Sequence, residues 1–291
     1  MRLLITGSES FVGRQLLEGC QAAGVEAVGV DVTPPTRPNC LRADIRAKDL
    51  SAVIPEGVDA VIHLAALSRD ADCAADPARC FDVNVMGTLN VIDAARTRGA
   101  RQFVFASSEW VYDGVADDLA KDEDACIDIT RLRSEYALSK LVGEAILRQQ
   151  YARGFCPTTI LRFGIIYGPR PTNWSAVESI LHAVKVADDV RVGSLATARR
   201  FVHVRDIVDG IQRTVGLGGF QVINLAGSRL VTLREIIEAG MWLLDRRPRV
   251  VVTDPERPSV RDVANEKAKQ LLGWEPRVGL EEGLRSVLPV I

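Results

Sequence analysis

The chain has 291 residues, of which 47% are hydrophobic and 25% charged, with a formal net charge of −2. Such a length suits a large core with an appended lobe, and the charge balance excludes the broad basic field that nucleic acid or an acidic lipid surface would need. The opening MRLLITGSES carries too short an apolar run for a signal peptide or anchor, and no stretch approaches the roughly 18 apolar residues of a membrane helix, so a cytoplasmic protein without a membrane partner is expected. The six cysteines (Cys20, Cys40, Cys73, Cys80, Cys126 and Cys156) form no C-x-x-C pair and no zinc-ligand spacing. Reduced thiols and no metal are expected.

In chain order, Arg2–Thr6 reads as a strand, Phe11–Ala23 as a helix, and Val25–Val30 and Val58–Ala65 as strands. A helix is expected over about Pro77–Arg98, with the proline in its first turn, followed by the strand Gln102–Ser107. A long helix over about Arg131–Arg153 ends at Gly154 and leads into the strand Thr158–Phe163. Nearly continuous apolar strands alternating with helices imply an α/β fold: a Rossmann doubly wound parallel sheet covered on both faces. Beyond Tyr167-Gly-Pro-Arg170 the alternation is lost. The expectation is a Rossmann domain over 1–164, with 201–226 returning to it, and a smaller C-terminal α/β substrate lobe from 165–200 and 227–291.

TGSESFVG, Thr6 to Gly13, lies between the first strand and the first helix, where a tight turn aims helix amides at an anion. Gly7 and Gly13 are in place, while Ser10 stands where a middle glycine is usual and is expected to crowd a pyrophosphate. Asp31 ends the second strand about twenty residues on, where a carboxylate accepts ribose hydroxyls and repels a 2′-phosphate. This favours NAD over NADP. Asp44 and Ile45 are expected beside the adenine. In His63-Leu64-Ala65-Ala66 the small residues let a cofactor lie near the backbone, and His63 itself reads as structural.

Tyr136 and Lys140 lie four apart on the long helix and share a face, and Ser108 closes the fifth strand. A phenol with a pKa near 10 is a poor base at neutral pH; a neighbouring ammonium favours the phenolate, and a serine hydroxyl can orient the reacting oxygen. Ser108, Tyr136 and Lys140 are therefore the candidate catalytic residues, for hydride and proton chemistry on a carbon–oxygen bond.

These features, with Asn84-Val-Met-Gly-Thr88, ASSEWVY (106–112), YALSK (136–140), LRFGIIYGPR (161–170), ARRFVHVRD (198–206), INLAG (223–227) and LLGWEP (271–276), resemble the extended short-chain dehydrogenases/reductases that act on nucleotide sugars. The resemblance implies that Ser108, Tyr136 and Lys140 are catalytic. It implies NAD contacts at Gly7, Ser10, Phe11, Val12, Gly13, Asp31, Asp44, Ile45, Leu64, Ala65, Ala66, Asn84 and Lys140. Arg199 and Arg257 would hold the diphosphate of a nucleotide sugar, as guanidinium forks match phosphate oxygens. Ser68 and Glu109, with Ser108 and Tyr136, complete the expected substrate set. Substrate choice is expected in the loops around Ser68–Ala75, Asp113–Thr130 and Thr172–Ser175.

Ile165 stands where many epimerases carry an asparagine, and Glu109-Trp110 replaces the acid pair a dehydratase needs. Ile165 thus lacks that substrate hydrogen bond, but YALSK with HLAA resembles the epimerases, so the resemblance points to a 4-epimerase that oxidises C4, lets the keto sugar rotate and reduces it again. The alternative is a 4-ketosugar reductase using NAD(P)H. A third reading, a non-catalytic dinucleotide-binding subunit, is opposed by the intact trio. A homodimer through the Pro77–Arg98 and Arg131–Arg153 helices is what the resemblance implies.

Overall fold

The computed structural model describes residues 1–115 and 120–291. Residues 116–119, within the loop expected to influence substrate choice, lie outside the described residues. The chain divides into two units, the first made of 1–115, 124–162 and 210–223.

The first unit runs β1 (Arg2–Thr6), α1 (Phe11–Ala22), β2 (Glu26–Asp31), β3 (Cys40–Arg42) and β4 (Ala60–His63). It continues with α2 (Asp70–Ala75), α3 (Pro77–Phe81), α4 (Gly87–Thr97), β5 (Phe103–Ser108), α5 (Glu135–Ala152) and β6 (Thr158–Phe163). A seven-stranded parallel sheet takes the order Phe220–Leu225, β6, β5, β4, β1, β2, β3. β1 lies between β2 and β4 with Ile5 opposite Gly29 and Ile62, so the strand order reverses beside the turn that follows β1. In open parallel sheets the crevice at such a reversal is where ligands bind. Leu4, Val61, Phe103, Phe105, Ile160 and Leu147 fill the core between sheet and helices.

Three departures from the sequence expectation have local causes. The helix expected over 77–98 is interrupted by a π turn at Asp82–Met86, which gives Asn84 its own direction. The long helix starts at Glu135, because Ser134 caps it by accepting the Ala137 N–H at 3.0 Å. The returning segment is 210–223 rather than 201–226. Gln102 holds it, donating to the Thr214 carbonyl and accepting the Gly216 N–H, both at 2.8 Å. Phe201 belongs instead to the other unit's core, and Val202–His203 pairs with Ile166–Tyr167.

The second unit comprises 120–123, 163–209 and 224–291. Helices Ala176–Val186, Leu233–Leu244 and Leu280–Val287 enclose Leu181, Val184, Ile236, Ile237 and Leu284, beside small two- and three-stranded sheets. Capping boxes at Ser175/Glu178 and Thr232/Glu235 fix the starts of two of these helices. Among the described residues no helix is long and apolar enough to cross a membrane.

α5 packs against β5 at Gly143, where an added Cβ would lie 2.7 Å from the Phe105 ring. Gly143→Val is therefore expected to overpack this contact and cost about 2–3 kcal/mol, read as a lower urea midpoint with an unchanged m-value.

Candidate active site

The turn after β1 needs glycine at both ends. Gly7 has φ +72° and lies so near β4's exit that a Cβ would come within 2.7 Å of the Ala65 nitrogen, while a Cβ on Gly13 would strike the Gly7 carbonyl. Ser10 has φ −69° and ψ 168°, an extended conformation open to any residue, and its hydroxyl caps α1 by accepting the Gly13 N–H at 3.1 Å. The serine thus replaces a glycine without backbone strain and engages one of the amides at the helix start. Phe11 and Val12 form the first two positions of that helix. Asp31, at the end of β2, is held by the Glu9 and Thr33 N–H groups, each at 2.9 Å and each on a different oxygen.

The other expected cofactor residues surround this turn. The Arg46 guanidinium clasps Asp44 at 2.6–3.1 Å and, by hydrogen bonding, holds its carboxyl below the usual range. Ile45 is buried against Gly87. Leu64, Ala65 and Ala66 are half-buried, with the Leu64 and Ala65 N–H groups tied to Thr6. Asn84 is 1% exposed. Its side chain accepts from the Leu67 N–H (2.7 Å) and donates to the Leu67 carbonyl (3.0 Å) and the Ser139 hydroxyl (2.9 Å), so it clamps the loop after β4 to α5.

His63 is fixed within this framework. The Thr88 hydroxyl donates to the Asn84 carbonyl (2.7 Å), so Nε2 of His63 must donate to Thr88 (3.0 Å), leaving Nδ1 to accept from Thr6 (2.6 Å). Burial, and then the nearby Lys140, push its pKa down to about 3, so the ring is neutral at physiological pH.

Ser108, Tyr136 and Lys140 come together at the β5 exit. Tyr136 is the second residue of α5 and Lys140 stands one turn on. Ser108 ends β5 and accepts the Trp110 N–H at 3.3 Å, and its hydroxyl is near enough to the Tyr136 phenol to favour the phenolate. The Lys140 ammonium lies 5.8 Å from the centre of the Tyr136 ring and 5.0 Å from that of Phe105. Desolvation acts oppositely on the two ionisable groups. It raises Tyr136 to about 12, although the neighbouring Ser108 hydroxyl favours the phenolate, and lowers Lys140 to about 8, although nearby Glu144 favours the ammonium. Added positive charge near the phenol would bring it toward neutrality, and a sugar hydroxyl placed there could then lose its proton to Tyr136.

Sequence reasoning missed the scaffold under this trio. Glu144, one turn beyond Lys140, accepts two bonds from Arg162 of β6 (3.0 and 2.7 Å) and one from Ser107, the neighbour of Ser108. Arg162 also donates to the Tyr112 hydroxyl at 3.0 Å. The four-residue spacing of Tyr136, Lys140 and Glu144 was the available signal, but the partner on β6 is not visible in it. Ser134, the α5 cap, donates to Asp70 of α2.

The expected substrate residues are more dispersed. Ser68 is exposed, whereas Glu109, directly after Ser108, is completely buried. In the second unit the Arg199 guanidinium donates to the Ala198 carbonyl and to the carbonyl and hydroxyl of Ser259 at 2.6–2.8 Å, and Arg257 is exposed. Ile165 is half-buried at the edge of that unit's core.

A glycine turn at a sheet reversal, a carboxylate closing β2 and a serine–tyrosine–lysine cluster at the β5 exit define a dinucleotide-dependent enzyme. The chain matches the family model "NAD dependent epimerase/dehydratase family" over residues 3–226 and belongs to that family. NAD is accordingly its cofactor, and the turn, helix amides and Asp31 suit a dinucleotide. It is 30% identical to the GDP-6-deoxy-D-mannose reductase of Pseudomonas aeruginosa, over 99% of this chain and 96% of the relative. It is 29% identical to the UDP-glucose 4-epimerase of Mycolicibacterium smegmatis, over 99% and 97%. A solved structure of MoeE5 in complex with UDP-glucuronic acid and NAD superposes with a TM-score of 0.89 at 26% identity, covering 100% of this chain and 98% of that one.

The Glu144–Arg162 pair yields a stability prediction. Glu144→Ala leaves a buried guanidinium uncompensated and should cost about 3–5 kcal/mol, whereas Glu144→Leu with Arg162→Met should recover most of that loss in urea unfolding.

Proposed function

We propose that this enzyme is an NAD-dependent nucleotide-sugar 4-epimerase. The observation that carries the reading is the juxtaposition of Tyr136 and Lys140 on one face of α5, with the ammonium 5.8 Å from the centre of the phenol ring and Ser108 at the end of β5. Tyr136 takes the C4 hydroxyl proton with Ser108 orienting that oxygen, and it returns the proton once the 4-keto sugar has turned over. Lys140, as an ammonium, stabilises the phenolate. NAD, when bound, supplies the centre that accepts and returns the hydride. Asp31 would hold its ribose and the amides at the α1 start its pyrophosphate, where the Ser10 hydroxyl could also donate. Arg199 and Arg257 would hold the sugar nucleotide's diphosphate and Ser68 would complete the substrate set, whereas Glu109, completely buried, offers a substrate no exposed surface. The setting is cytoplasmic and the assembly a homodimer.

A second reading is a nucleotide 4-ketosugar reductase, favoured by the 30% identity to the Pseudomonas reductase. Incubating the protein with UDP-, dTDP-, GDP- and CDP-sugars separates the two. Inversion at C4 without net change at 340 nm is expected, and Tyr136→Phe should slow it by about 10²–10⁴-fold. Stoichiometric loss of absorbance at 340 nm with a ketosugar, and no inversion, would establish the reductase instead.

The proposal also fixes a pH dependence. Lys140 is needed as the ammonium, so kcat/KM should fall on the alkaline side as the group loses its proton around pH 8. The limb should move to higher pH in Lys140→Arg, whose guanidinium keeps its charge. An unchanged limb would remove Lys140 from this role.

A further inference from the structure

Glu9 sits inside the glycine turn, between Gly7 and Ser10, yet its side chain is only 1% exposed. Its carboxylate accepts the Thr36 N–H at 2.9 Å, the Thr36 hydroxyl at 3.0–3.1 Å and Arg14 Nε at 3.1 Å. Its own N–H donates to Asp31 at 2.9 Å. Burial opposes its charge, but the hydrogen bonds from Thr36 and the Arg14 cation outweigh that and keep the carboxyl below its usual range. One residue therefore joins the turn to the end of β2 and to the segment after it. Asp31 holds that segment at Thr33 and Glu9 holds it at Thr36, so two carboxylates are bonded to the start of the segment after β2.

The cations nearby are engaged elsewhere. Arg14 is paired with Glu9, Arg37 with Glu18 at 2.7 Å, and Arg46 with Asp44, while Arg42 donates to the Val32 carbonyl at 3.1 Å. A phosphate on the adenosine ribose would meet the Asp31 carboxylate, with the buried Glu9 carboxylate bonded to the same segment, and guanidinium groups already committed to other acceptors.

We infer that Glu9 is a second specificity-determining residue of the dinucleotide site, acting with Asp31 to exclude a 2′-phosphorylated cofactor. The inference rests on the placement of the NAD adenosine at the end of β2. Like charge brought next to like charge in a partly desolvated site is a strong rejecting device.

Calorimetric titration of the purified protein with NAD and NADP tests it without recourse to activity. Glu9→Gln keeps an amide oxygen for Thr36 and removes the charge. NADP affinity should rise about tenfold or more, while NAD affinity changes by less than about threefold. Thr36→Val loosens the segment at constant charge and should leave the NAD-to-NADP ratio unaltered. Asp31→Asn, with Glu9 intact, should still prefer NAD by about tenfold. A Glu9→Gln protein whose ratio matches the wild type, or an Asp31→Asn protein that binds both dinucleotides equally, overturns the inference. Wild-type protein that binds neither dinucleotide overturns the placement itself, and the inference with it.

Discussion

The buried pair between Glu144 and Arg162 is the constraint on which the catalytic end of the sheet depends. It ties α5 to β6, and through Ser107 to the last turn of β5, while Arg162 reaches Tyr112 in the helical turn beyond. A pair of charges held out of water is stable only when its remaining hydrogen-bonding positions are filled, and here Ser107 and Tyr112 fill them. The geometry this enforces is specific. Tyr136 and Lys140 lie on the same helix as Glu144, and Ser108 is next in chain to Ser107. Ser134 and Asn84 add further fixed points, binding the helix start to Asp70 and its side to the loop after β4.

This rigidity allows Tyr136 and Lys140 to carry opposed perturbations. Desolvation disfavours the phenolate and the ammonium alike, yet Lys140 at about 8 still keeps its proton at neutral pH while Tyr136 stays a neutral phenol in the protein alone. A base made in this way is latent: it gains basicity only as positive charge and a hydroxyl substrate arrive, which limits proton exchange when the site is empty. His63 lies near the same ammonium but is neutral and locked between two threonines, so it contributes order rather than protons.

Much of this was legible in the sequence because it rests on short-range periodicity. Apolar strands alternating with helices gave the doubly wound sheet, and the spacing of Tyr136 and Lys140 gave a shared helix face. What could not be read depends on partners far apart in the chain. Arg162 meets Glu144 across 18 residues, and Asn84 meets Ser139 across 55, through a π turn that no apolar pattern announces. The expected return of 201–226 failed at its start for a related reason. Phe201 and Val202 are apolar in either unit, and only their pairing partners decide which core receives them. Ser10 looked like a defect in a glycine pattern. Its backbone is extended rather than left-handed, and its hydroxyl performs the capping that glycine cannot.

The two ends of the site impose one requirement on each other. An epimerase must return the hydride it has removed to the same sugar, so its cofactor has to remain bound through the cycle. A segment held at Thr33 by Asp31 and at Thr36 by Glu9 is suited to keep an adenosine in place. A reductase, in contrast, releases its cofactor after every turnover and draws on the reduced, commonly phosphorylated pool. The Asp31 carboxylate at the end of β2 opposes that phosphate. The charge at the adenosine end of the turn thus bears on the choice between epimerase and reductase as directly as do the residues at the reacting carbon.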